Sequence, residues 1–320
     1  MYIRLFTLGF RFAALLAACL FAASCEKAID FRGDEQKPMV VVSADAEPDT
    51  TLAVRLTYSR FFLSGGRFKV IGNADVRLSA NGTSYTGVFN DSAYVFPYTV
   101  SEGDTLTLSV HLQNGGDDTV VTSSTRVPYR PSVTIGESLG NTFRLTLNDR
   151  AGEHNYYRMR ITLIDTNFWA YDIEGNLVDD NETVATRDTL VDSIQAMFSC
   201  SDAAVTTNMS STVNIDGEDT FDQLLFTDEL FDGQSHDIVI KCDDYIDYYE
   251  KRPKSANSTY IICVESLSRD RYMYELSRYK QDYGDMLMTE PVQVQCNIAG
   301  GIGIFGAKAT RRLVLRNEKR

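Results

Sequence analysis

Ala74-Asp75-Val76-Arg77-Leu78-Ser79-Ala80-Asn81-Gly82-Thr83-Ser84-Tyr85-Thr86-Gly87-Val88 is the stretch that decides the fold. Apolar and polar residues alternate from Ala74 to Ala80, the period of a strand with one buried face. Asn81-Gly82 then supplies a pair of residues that tolerate left-handed backbone, and a strand returns. Outward from this hairpin the same signal repeats. Val40-Val41-Val42 is a short apolar run, residues 51–58 alternate, and residues 105–112 alternate over eight positions. A Gly115-Gly116-Asp117-Asp118 turn leads into residues 119–126. Strands every ten or so residues, parted by turn signals, predict an antiparallel β-sandwich domain over residues 38–128.

Pro128-Tyr129-Arg130-Pro131 ends that domain, because two prolines in four residues block both a ladder and a helix. Residues 129–320 form the second, larger domain. Alternation restarts at 142–147 and 156–164, and strand character returns at 236–242 and 259–264. Residues 165–220 are polar and weakly periodic, and read as an insertion with short strands that holds Trp169 and Cys200. One helix is predicted near residues 268–283. Ser268 caps it, Asp270 lies in the first turn, and Gly284 marks the stop. Tyr272, Leu276, Tyr279 and Tyr283 make an aromatic stripe, read as a face packed on a sheet rather than a sugar-stacking surface. A strand at 291–296, a glycine-rich loop and a last strand at 310–315 close the chain. The fold class is therefore all-β and mainly antiparallel: two sandwich-like domains, the second with one packed α-helix.

The N-terminus is of another kind. Arg4 and Arg11 precede an apolar run at residues 12–23, and then come Ser24, Cys25 and the polar Glu26-Lys27. A basic segment, a short apolar core and small residues before a cleavage point make a secretory signal peptide over residues 1–24. The cysteine at the junction makes Ala22-Ala23-Ser24-Cys25 a lipobox, with Cys25 the acylated residue and 25–37 a tether. Leu16-Ala17-Ala18-Cys19 has a leucine at the favoured spacing, but the apolar run continues past Cys19, so Cys25 is preferred. Several acyl chains at about 0.8 kcal/mol per buried methylene suffice for stable anchoring. The rival reading of the leader is a plain secreted protein.

Losing Arg4 and Arg11 moves the formal charge from −13 by two, to −15. Such a surface argues against nucleic acid and against docking on anionic lipid through a basic patch. Four cysteines remain, Cys200, Cys242, Cys263 and Cys296, with three possible pairings. In an oxidising compartment disulfides are expected, Cys242 among them, with buried thiols as the alternative. No C-x-x-C occurs and His111, His154 and His236 are scattered, so no metal site and no cofactor are expected. Asp243, Asp244 and Asp247, and Asp165, Asp172 and Asp179, are two acid-rich sets that calcium could use. Neither set has EF-hand spacing, and both read as solvated surface. Asp228-Glu229 is ordinary in a chain with 44 acids. Without G-x-S-x-G or a nucleophile placed beside a histidine, no catalytic residue is assigned and no enzyme is expected. Three acids and a histidine converging in one deep pocket would reverse that.

The segment Asn297-Ile298-Ala299-Gly300-Gly301-Ile302-Gly303-Ile304-Phe305-Gly306 lacks the strand-loop-helix context of a phosphate loop. Its flanks read as antiparallel strands, and a close-packed bend or bulge where only glycine fits is the better account. Asn297, Gly300, Gly301, Gly303, Phe305 and Gly306 are its structural residues. This segment, together with Cys25-Glu26-Lys27-Ala28-Ile29-Asp30, Asn73-Ala74-Asp75-Val76, Asn155-Tyr156-Tyr157, Phe226-Thr227-Asp228-Glu229-Leu230-Phe231-Asp232-Gly233 and Glu290-Pro291-Val292, resembles the domain-of-unknown-function family 4249. That is a family of Gram-negative outer-membrane lipoproteins. The pieces run in order through nearly the whole mature chain. The resemblance implies an N-terminal β-sandwich, a second β-rich domain bearing a helix, and genes that neighbour TonB-dependent receptors. It hands over no catalytic or ligand residue. The expectation is a lipid-anchored outer-membrane protein that serves a TonB-dependent nutrient transporter without transforming the nutrient. The alternative is a structural or adhesive surface protein.

Overall fold

The computed structural model describes residues 37–61, 66–114, 117–139, 141–175, 177–178, 185–209, 212–213, 219–242, 257–284 and 292–318. Cys19, Cys25 and the acids Asp179, Asp243, Asp244 and Asp247 lie outside them. In chain order the strands are β1 (Val40–Ala46), β2 (Thr51–Tyr58), β3 (Asp75–Ala80), β4 (Thr83–Thr86), β5 (Val88–Asn90), β6 (Ala93–Thr99), β7 (Thr105–Asn114) and β8 (Asp117–Arg126). Next come β9 (Ser132–Leu139), β10 (Thr142–Asn148), β11 (Tyr156–Tyr171), β12 (Leu177–Val178), β13 (Thr186–Gln195) and β14 (Phe198–Ser199). A short helix α1 (Ala203–Thr206) precedes β15 (Thr212–Val213), β16 (Asp219–Phe221), β17 (Gln223–Thr227), β18 (Ser235–Cys242) and β19 (Asn257–Leu267). The long helix α2 (Arg269–Gly284) and β20 (Ile302–Glu318) end the described chain. The protein is mostly β and mainly antiparallel.

One ten-stranded sheet runs through the molecule in the order β12-β11-β19-β20-β1-β2-β6-β5, with β13 and β17 also paired to β11. The small sheet β4-β3-β7-β8 packs on its β1–β2–β6 part. The sheet β15-β16-β14-β18-β10-β9 packs on its β11–β19 part. Each contact is a sandwich with its own core. Val42, Leu56, Leu78, Phe96 and Leu108 fill the first, and Phe143, Met159, Ile161, Phe198 and Ile262 the second. Full burial of side chains of this kind is worth roughly 1.5–3 kcal/mol each, which is why alternation governs both halves. The first core also takes Ile298, Phe305 and Ala307 from the far end of the sequence.

The hairpin closes as its residues dictate. Asn81 and Gly82 have φ of 49° and 87°, and Ala80 faces Thr83 across the turn. Asp104 secures the site, accepting from Asn81 Nδ2 at 2.7 Å, the Tyr98 hydroxyl at 2.6 Å and the Ser101 N–H at 2.7 Å. Burial first, and then this bond, push the Tyr98 phenol up to about 12.

Three local expectations are corrected. Residues 165–171 are not an insertion of short strands. They continue β11, which pairs with β13 from Thr162↔Gln195 to Tyr171↔Thr186, backbone pairing along a polar stretch that period alone does not mark as strand. The predicted strand near 291–296 forms no regular ladder over its described residues 292–296. Instead the glycine segment itself is strand. From Ile302 it opens β20, where Ile302–Ala307 pair with β1 in parallel, and only beyond it, from Lys308 onward, does β20 pair antiparallel with β19. Alternation reports which face is buried and says nothing of a neighbour's direction.

Candidate functional site

The prolines that end the first run of strands line a cleft about 580 Å³ in volume. Tyr129, Arg126, Arg150, His154, Tyr157 and Asp270 are among its walls. Its cations are largely engaged. Arg126 meets Glu153 at 3.4 Å, and Arg130 meets Asp49 at 2.6 Å and Glu102 at 2.8 Å. Arg150 stacks on Tyr129, its Cζ 3.8 Å from the ring centre. The result is a polar, aromatic-walled cleft open to small molecules.

Behind this wall two loops interlock. Gly233, at φ 68°, comes so close to Ala151 that a Cβ there would lie 2.6 Å from the alanine Cβ. The loops bring together Asp149, Asp228 and Asp232, each offering one oxygen within 4.8 Å of the others'. Neutral donors orient them. The Tyr157 hydroxyl donates to Asp149 at 2.5 Å and the Gly233 N–H at 2.8 Å. The Asn155 N–H and Nδ2 donate to Asp228 Oδ2 at 2.8 and 3.1 Å, and the Gly152 N–H donates to Asp232 at 3.2 Å. Burial and the neighbouring Asp149 and Asp228 push the Tyr157 phenol far upward. His154 Nδ1 stands 3.6 Å from Asp228 Oδ1, but His154 is 77% exposed and the three acids do not line the cleft. Three acids and a histidine do converge, but of these only His154 lines the cleft, and the set sits in no deep pocket. Spacing could not reveal this set, since its members are drawn from positions 149 and 228–232.

Beneath α2 lies a second charged assembly. Arg158 bonds to Glu265 and reaches Glu275 at 3.2 Å, while Arg160 meets Glu265 at 3.2 Å. Arg271 joins Glu275 at 2.8 Å and Asp45 at 3.6 Å, and Lys308 lies 3.5 Å from Asp45. Burial pushes the Asp45 carboxyl up despite Arg271 and Lys308. Burial works the same way on Glu265, but there the Arg158 bond and the charges of Arg158, Arg160 and Lys308 prevail and hold it below the usual carboxylate range. This network ties the helix to β1, β11, β19 and β20. Its charges are matched by opposite charges, although Asp45 Oδ1, Arg160 Nε and Arg271 Nε accept or donate no hydrogen bond, and its part is structural. Tyr272 and Tyr279 are buried against the sheet, so that portion of the aromatic stripe is core.

The glycine segment is a clasp. The side chain of Asn297 imitates a strand, its Nδ2 donating to the Phe305 carbonyl at 2.8 Å and its Oδ1 accepting from the Phe305 N–H at 3.0 Å. Ala299 and Thr122 exchange both backbone bonds. A Cβ at Gly300 would lie 2.3 Å from the Val120 oxygen, one at Gly301 2.7 Å from the Val40 oxygen, and one at Gly306 2.9 Å from Arg271 Cβ. Phe305 is fully buried in the first core.

The four cysteines are thiols in this structure. Cys200 and Cys242 are buried, Cys263 is half-buried on β19 and Cys296 is exposed. A histidine–carboxylate pair does exist: His236 Nε2 is 2.6 Å from Asp202 Oδ2, with Phe231 stacked on the imidazole. The thiol nearest in sequence, Cys200, is pushed up by burial, opposite to the activation a nucleophile needs. Among the described residues no helix is long and apolar enough to cross a membrane.

A family model described as "Domain of unknown function (DUF4249)" matches residues 26–313. No curated protein matches. Among solved structures, a chain titled "Biofilm associated protein - B domain" aligns over 90% of this chain and 88% of its own, at 8% identity and a TM-score of 0.14.

Proposed function

The chain belongs to the family described as Domain of unknown function (DUF4249), and we propose on that premise that it is a lipid-anchored lipoprotein of the outer membrane. Its role in this reading is non-catalytic: it binds or presents a small nutrient for a TonB-dependent transporter. The observation that carries the reading is the leader, in which a basic segment and a short apolar run end at Cys25 and polar sequence follows at once. Fifteen residue steps from Cys25 to Val40 give the tether a maximum reach of about 50 Å, enough to hold the sandwiches clear of lipid headgroups. The cleft beside Tyr129 and Arg150 has the size at which small molecules are enclosed. Arg126 and Arg130, already paired with carboxylates, and Arg150, stacked on Tyr129, suit hydrogen bonding to a polar guest better than proton transfer.

Affinity capture of the tagged chain from native outer membranes tests the proposal, alongside nutrient uptake in a deletion strain. The proposal expects a TonB-dependent transporter in the captured material and slowed uptake of its nutrient. Capture without any transporter, together with unimpaired uptake, overturns it. Loss of cell attachment on deletion would move the assignment to the structural or adhesive class.

A further inference from the structure

We propose that Asp149, Asp228 and Asp232 form a calcium site that locks the 149–155 and 227–234 loops together. Three carboxylates share a space whose oxygens lie within 4.8 Å of one another. A cation at calcium–oxygen distances of about 2.3–2.6 Å can touch one oxygen of each. The second observation concerns Asp228. Its side chain is 1% exposed, its Oδ2 is occupied by Asn155, and its Oδ1 is buried without a hydrogen-bond donor. A buried carboxylate oxygen left in that state is costly, and a bound cation removes the cost.

Among the described residues the one cationic group offered to these acids is the mostly exposed His154. His154 Nδ1, at 3.6 Å, is beyond hydrogen-bond distance. Arg150 is turned onto Tyr129. The donors that do reach the acids, from Tyr157, Gly233, Asn155 and Gly152, are neutral and fix the direction of the oxygens. Those bonds explain why the loops keep their shape but not why three negative charges were gathered. The donor set is all oxygen, which favours a hard cation over zinc or copper. Calcium fits better than magnesium because it accepts irregular, flexible coordination completed by water. Asp232 is exposed and gives the ion its way in.

The test is calorimetric titration of CaCl2 into the full-length chain in detergent, stripped beforehand with a chelator. One calcium ion per chain is expected, at an affinity between about 10⁻⁶ and 10⁻³ M. Calcium should also raise the melting midpoint by several degrees. D232N changes an exposed carboxylate, should fold normally by circular dichroism, and should weaken binding about tenfold or more. D228N should abolish it, and if that variant does not fold, D232N decides. No heat of binding up to about 10 mM, above the weak end of extracellular sites, overturns the proposal. So does unchanged affinity in D232N, or magnesium binding as tightly as calcium.

Discussion

A Cβ at Gly303 would lie 2.0 Å from the carbonyl oxygen of Val42, and the residue's φ is 112°. The close approach follows from the parallel pairing of Gly303 with Val42, where an early strand meets the last one, and the positive φ is a separate demand that glycine meets. Alanine there suffers a left-handed backbone and a collision with another strand. G303A should therefore cost about 3 kcal/mol or prevent folding, whereas G82A, with open space around it, should cost about 1 kcal/mol from backbone strain alone. Urea denaturation of the two variants checks the contrast. Phe305→Ala should likewise cost about 3–5 kcal/mol, the penalty for emptying a fully buried aromatic site. The glycine run itself was legible as a place where only glycine fits. Its partner was not, because Val40-Val41-Val42 carries no mark of whom it pairs with. The carboxylate trio was illegible for a related reason: Asp149 stands 79 positions before Asp228, and only the fold sets them side by side.

The helix α2 shows the same division at the scale of an element. Its start was readable from Ser268, whose Oγ accepts from the Arg271 N–H at 3.4 Å and from the Ala307 N–H of β20 at 3.1 Å. Its apolar stripe was readable too, through Tyr272 and Tyr279. The charges beneath it were not, since Arg158, Glu265 and Glu275 look like surface residues until three elements converge. Glu265→Gln removes one partner from buried Arg158 and should cost about 3 kcal/mol near neutral pH. The sign of its pH dependence is fixed by the lowered Glu265 carboxyl. The unfolded chain takes up that proton at the ordinary 4.5, the folded chain only at lower pH. Its stabilisation is therefore complete above about 4.5 and is lost as pH falls toward the folded-state value. Asp45, raised by burial, works in the opposite direction and gains as pH falls. The deficit of Glu265→Gln relative to the parent should accordingly shrink below pH 4.5, measured by denaturant titration at a series of pH values. A deficit that grows on acidification would show that Glu265 is not held in its charged form.

Across the whole molecule a single sheet joins both halves, because β1 and β20 meet at its centre. Period-two alternation made the β class and the antiparallel hairpins legible. It could not show that one sheet serves both halves, as a strand's burial pattern is the same whichever neighbour it has. The cleft walled by Pro128, Tyr129 and Arg130 sits where the sequence marked only a break in the strands. The proposed placement at the outer membrane requires that Cys25 be acylated. Intact mass analysis of the N-terminal peptide, from chain purified out of membranes, tests that most directly. The account predicts a peptide beginning at Cys25 and carrying a thioether-linked diacylglycerol with an N-acyl chain. A terminus that is unmodified, or acylated at Cys19 instead, would contradict it.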